Sequence, residues 1–155
     1  MKTLLLVIGL VGLSGCAASG LQHHSDGKIA VPSAHDVPTT EARLRKTLSE
    51  KGFTVFTTID HAAGASSVGL SLRPTRVVVF GNPKAGAPLM GCEQTIAIDL
   101  PQKALIHQDE NNSVWLTYND PVYLAARHNV SGCDVVFAKI AAALSAITAS
   151  VTSED

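Results

Sequence analysis

The stretch RVVVFGNPKAGAPLMG, Arg76 to Gly91, decides how the chain is read. Val77 to Phe80 form an unbroken apolar run rich in β-branched side chains, the pattern of a central strand buried on both faces. The run ends at Gly81, and Gly81 and Gly86 have the G-x-x-x-x-G spacing of a phosphate cradle. That motif continues with Lys and then Ser or Thr, because an ammonium must reach the phosphates and a hydroxyl must bind magnesium. Ala87 and Pro88 stand there instead. A cradle also works through backbone N–H groups, and Pro83 and Pro88 each remove one. Nucleotide chemistry fails, leaving a stiff, prolyl-braced loop at the end of a buried strand, where ligand sites are often built.

The surroundings supply the remaining elements. FTVFTTI, Phe53 to Ile59, is β-branched and aromatic and reads as a strand. TIAIDL alternates, with Ile96, Ile98 and Leu100 on one face, and reads as another. KALIH and SVWLTY, joined through Asp109 to Asn112, form a hairpin. Upstream, KIAVP is a short strand. A helix follows, capped by Asp36, with Pro38 in its first turn and Gly52 ending it; Val37, Leu44 and Leu48 form its stripe. Toward the C-terminus a short helix covers Pro121 to His128. A longer one carries Val136, Ile140, Ala143, Leu144 and Ile147 on one face, with Ser131 and Asp134 resembling a capping box. One strand, a helix, a run of strands and then helices predict an α+β domain, with a mostly antiparallel sheet and helices on one face.

The chain has 155 residues, 46% hydrophobic and 16% charged, with formal charge −1. That supports one domain with a real core and no field to gather nucleic acid. The N-terminus, MKTLLLVIGLVGLSGC, has a basic start and an apolar run too short to stay in a bilayer. Leu13-Ser14-Gly15-Cys16 resembles the bacterial lipobox, which implies cleavage before Cys16 and acylation of its thiol and new amino group. Ala17 in place of an acidic residue implies sorting to the outer membrane. The expected organisation is a signal peptide at 1–15, lipidated Cys16 with a tether to residue 26, and one domain over 27–150. The expected location is the cell envelope, tethered to the membrane and facing the periplasm. In that oxidising compartment Cys92 and Cys133 are expected to pair as a disulfide, with free thiols or a metal or redox pair as the rival readings.

Four segments taken together, TVFTTIDHAAGA, LRPTRVVVFGNPKAGAPLM, IDLPQKALI and VWLTYNDPVYLAARH, resemble domain-of-unknown-function family 302 from about Gly27 to Ala149. The resemblance implies a β-α-β(4)-α arrangement of TATA-box-binding-protein-like shape, often a homodimer, with no established activity. Gly86-Ala87-Pro88 departs from the family's Gly-Thr-Pro and lacks its hydroxyl.

The polar residues of these segments are Asp60, His61, Arg73, Asn82, Lys84, Asn119, Asp120, Arg127 and His128, and three readings compete for them. In the first, the Asp and Asn side chains cap helices and turns, while Arg73 and Arg127 pair with them. In the second, these segments, with Gly81 to Met90, converge on a pocket for a small ligand, or for a metal or haem held by His61, His128 or Met90. No CxxCH is present for covalent haem. In the third, His61 with Asp60 or Asp120 acts as a base, but no nucleophile is picked out: GASSVG is one residue too long for G-x-S-x-G. His107, beside the hairpin, is expected to be exposed. The expected function is a non-enzymatic module binding a small ligand or partner. The cofactor is unknown, and nucleic acid is not expected as a partner.

Overall fold

The computed structural model describes residues 22–154; the leader, Cys16 and the first part of the tether lie outside them. Six strands form one antiparallel sheet: β1 (Gln22–His23), β2 (Lys28–Ser33), β3 (Thr54–Asp60), β4 (Thr75–Gly81), β5 (Gln102–Gln108) and β6 (Val114–Asn119), in the order β1-β2-β6-β5-β4-β3. Helices α1 (Val37–Glu50), α2 (His61–Ser67), α3 (Pro83–Cys92), α4 (Pro121–Arg127) and α5 (Asp134–Thr152) complete the domain, with a 3-10 helix at Gln94–Ile98. The expected β-α-β(4)-α order is present as β2, α1, then β3 to β6, then α5, with α2 and α3 breaking the strand run.

The core lies on one sheet face. Val78 and Phe80 of β4, Ile106 of β5 and Leu116 of β6 pack with Leu44 and Leu48 of α1 and Leu144, Ile147 and Val151 of α5. Leu48, Val78, Ile106, Leu116 and Val151 are each 0% exposed. Each such side chain contributes roughly 1.5–3 kcal/mol. The far end of α5 is tied to α1: Arg43 donates through Nε to Val151 O at 3.0 Å and through a terminal nitrogen to Ser150 O at 3.2 Å. His35 Nε2 lies 2.9 Å from Ser153 O. These bonds engage carbonyls that a helix end leaves without intrahelical partners.

Local signals place several elements as expected. Asp36 caps α1 by accepting from Thr39 N at 2.8 Å, and Gly52 leaves the helix at φ +73°. The β5–β6 hairpin is fixed by Asp109, which accepts from Asn111 N, Ser113 N and Trp115 Nε1, each at 2.9 Å. Gly27, at φ +80°, lies under the Tyr123 ring, which a Cβ there would overlap.

Five expectations are corrected. β4 is central but covered on one face only: Val77 and Val79, on the opposite face from Val78 and Phe80, are half-buried. TIAIDL is not a strand, because Glu93 accepts from Thr95 N at 2.9 Å and starts the 3-10 helix, burying Ile96 and leaving Ile98 75% exposed. Gly81 to Gly91 is not a loop: α3 begins at Pro83 behind an Asn82 cap and continues through Pro88. At the start of α5 no side chain caps the helix, so the Ser131–Asp134 box is not formed. Gln22 and His23, assigned to the tether, pair with Ala30 and Ile29.

Cys92, the last residue of α3, is bonded to Cys133, the residue immediately before α5, with their Cα atoms 6.5 Å apart. Leu89, Ile96 and Phe137 form a second buried cluster around this bond. The bond closes a separation of 41 residues, so replacing both cysteines by serine is expected to destabilise the domain by about 2–4 kcal/mol. Urea unfolding measures this. An unchanged midpoint would show that the bond constrains nothing.

Candidate functional site

The sheet has two ends, and they divide the candidate residues. Gly81, Gln102 and Asn119 stand at one end; Asp60, Arg76, His107 and Trp115 stand at the other. Gly81 lies five positions after Arg76 along β4, about 17 Å of extended chain. Asp60, His61 and Arg73 therefore lie at one end. Asn82, Lys84, Asn119, Asp120, Arg127 and His128 lie at the other. The convergence of all four segments on one pocket does not occur.

At the first end Asp60 caps α2, accepting from Ala63 N at 2.9 Å. Its second oxygen faces Arg76 Nε at 3.1 Å, and Arg76 reaches Glu41 of α1 at 2.6 Å. The helix N–H first, and Arg76 next, hold the Asp60 carboxyl below its ordinary range. His61 is exposed at the start of α2. Arg73 Nε donates to Gln108 O at 3.2 Å, closing the loop that precedes β4. His107, expected to be exposed, is half-buried beside Trp115, and its Nδ1 is buried with no hydrogen-bond partner. That burial pulls its pKa below the ordinary histidine value.

At the second end the capping reading accounts for two residues. Asn82 Oδ1 accepts from Lys84 N at 2.9 Å and its amide donates to Gly52 O at 3.1 Å. Asp120 Oδ1 accepts from Val122 N at 2.9 Å. Arg127 and His128 both meet Asp99, a residue absent from the candidate set: His128 Nε2 lies 2.6 Å from one carboxylate oxygen and Arg127 3.5 Å from the other. This pair ties the end of α4 to the end of the 3-10 helix. His61 stands at the opposite end from Met90 and His128, so the three do not make one ligand set. Among the described residues, no three His, Cys, Asp or Glu side chains cluster closely enough to hold a metal ion.

Two hollows have room for a ligand: one of about 390 Å³ at the first end, lined by Arg73, Leu105 and His107, and a more apolar cavity of about 460 Å³ under α3. Phe53 and Phe56 flank the start of β3, Leu89 and Met90 come from α3, and Ile140 and Leu144 come from α5. Its volume falls in the range of small-molecule sites. The hollow exists because α3 presents Ala85, Gly86 and Ala87 where larger side chains would fill it; a Cβ on Gly86 would meet nothing within 4 Å. Phe56 sits at a register shift in β3, and its ring lies over Gly81, where a Cβ would come within 3.2 Å of it. Of the candidate residues, Asn82 and Met90 line this cavity; Asp60, His61, Arg73 and His128 do not. Sequence reasoning missed Phe53, Ala97, Lys139 and Ala143 as lining residues. A signal for α3 was present: Asn82-Pro83 repeats the cap-and-proline pattern of Asp120-Pro121.

Residues 29–147 match the family model described as Domain of unknown function DUF302. Among curated proteins, Fluoride-specific ion channel FluC 1 of Brucella suis biovar 1 (strain 1330) is 45% identical over 104 residues, 67% of this chain and 41% of that one. The Brucella abortus biovar 1 (strain 9-941) protein of the same name gives 45% over 104 residues, 67% and 38%. The chain spans about two fifths of the length of these relatives. Among solved structures, an uncharacterized conserved DUF302 protein from Bacillus stearothermophilus matches with TM-score 0.74 at 21% identity, over 81% of this chain and 98% of that one, a likeness of fold.

The lowered pKa of His107 makes stability pH-dependent. Its contribution is complete above the unfolded-state value of about 6.5 and is lost as pH falls through the lower folded value, because the unfolded chain binds that proton first. His107→Leu is expected to shrink the drop in Tm between about pH 7.5 and about pH 5. Melting curves at the two pH values test it. An equal drop in both proteins would place the titration elsewhere.

Proposed function

Because the chain belongs to the DUF302 family, a domain of unknown function, we propose its role from its own cavity. It is a non-enzymatic binding module of the bacterial cell envelope that takes a small ligand with an apolar body under α3. The observation that carries this reading is the 460 Å³ hollow, walled mainly by apolar side chains and bounded by a helix whose small residues leave the space beneath it unfilled. Burial of apolar surface would supply the affinity.

The imidazole at the α3 end is already partnered, with His128 Nε2 2.6 Å from an Asp99 carboxylate oxygen. On our reading, lipid on Cys16 holds the domain to the outer membrane, facing the periplasm. The sequence of the leader supports this. The unit shared with the Brucella proteins is, on the same reading, a binding attachment and not the conducting part. α5 alone among the described helices has the length and apolar composition to cross a bilayer. Its Leu144, Ile147 and Val151 are spent in the core.

Titration of the chain with the uncharged fluorophore N-phenylnaphthylamine tests the reading. Saturable enhancement at one site per chain is expected, weakened at least tenfold by Gly86→Leu or Ala143→Leu with unchanged circular dichroism. Absent binding, or binding indifferent to both substitutions, would overturn it.

A further inference from the structure

We propose that the cavity ligand is a single-chain amphiphile with an anionic head, a fatty carboxylate, whose head group meets Lys139; this rests on the cavity reading. The lining contains few polar groups, and they are unequal. The Asn82 amide is already engaged at both ends, by Lys84 N and Gly52 O. Gln102 is half-buried at the start of β5. Lys139 is exposed on α5, lines the same hollow and has no carboxylate partner among the described residues. No Asp or Glu lines the cavity. An apolar interior with one unmatched ammonium at its solvent side complements an apolar body ending in a single negative charge.

Size limits the ligand further. At about 460 Å³ the cavity lies toward the small end of ligand sites, which suits one chain and not a two-tailed lipid. The tail and the head have different tasks. Each enclosed methylene strengthens binding about fourfold. An exposed ion pair adds only about two- to fivefold. The tail therefore sets affinity and Lys139 sets preference for charge.

Calorimetric titration of the whole chain with octanoate, decanoate and dodecanoate, then with dodecanol, dodecyltrimethylammonium and lysophosphatidylglycerol, tests the proposal. Affinity is expected to rise about fourfold per methylene until the tail outgrows the cavity. Dodecanoate is expected to exceed dodecanol, and dodecyltrimethylammonium to bind least. Lys139→Gln should weaken dodecanoate about two- to fivefold and leave dodecanol unchanged, while Lys139→Arg retains the preference. Equal binding of the cationic and anionic detergents, or tighter binding of lysophosphatidylglycerol, overturns the fatty-acid assignment. If dodecanol still binds and Gly86→Leu still blocks it, the cavity reading survives that loss. If no probe binds, both readings fall.

Discussion

One asymmetric burial organises the molecule. The sheet gives a single face to α1 and α5, so Val78, Phe80, Ile106 and Leu116 lose nearly all contact with water while Val77 and Val79 on the reverse stay half-buried. Because those two helices carry the main core, their mutual placement must be fixed, and Arg43 and His35 fix it by reaching the last carbonyls of α5. The layer they form does not fill the space above the strand ends near Gly81 and Gln102. α3 and the 3-10 helix extend it there, held by the Cys92–Cys133 bond and by Ile96, Leu89 and Phe137. The cavity is what remains where α3, with its run of small residues, spans that corner.

This explains which parts of the fold were legible. α1 announces itself through Asp36, Pro38 and Gly52, and the hairpin through two β-rich runs flanking Asp109 to Asn112. Each signal is local, and each agrees with the tertiary result. α3 has conflicting local signals: Asn82-Pro83 opens a helix, whereas Gly86, Pro88 and Gly91 oppose one. TIAIDL alternates like a strand, yet its backbone is turned by the Glu93 cap and its Ile96 is drawn into the second cluster. In both places tertiary packing decides between conformations that the sequence leaves close in energy.

The polar candidates were legible as special positions and not as a site. Asp60, Asn82 and Asp120 each precede a helix, and each spends an oxygen on a backbone N–H of the first turn. The partner of His128 and Arg127, Asp99, lies about thirty positions upstream, beyond the reach of a spacing argument. The cavity was the least legible feature. Its walls come from Phe53 through Leu144, and its essential property is the absence of side-chain volume at Ala85 to Ala87. A run of small residues marks such a hollow only once a helix is known to place it against an apolar wall.

The central claim is that this corner receives a ligand. Amide chemical shifts of the isotopically labelled chain, followed during addition of dodecanoate, test it most directly. The account predicts saturable shifts concentrated at Gly86, Leu89, Ala97, Lys139 and Ala143, with Arg73 and His107 at the opposite end unmoved. Shifts centred on Arg73 and His107, or none at any concentration below micelle formation, would contradict it.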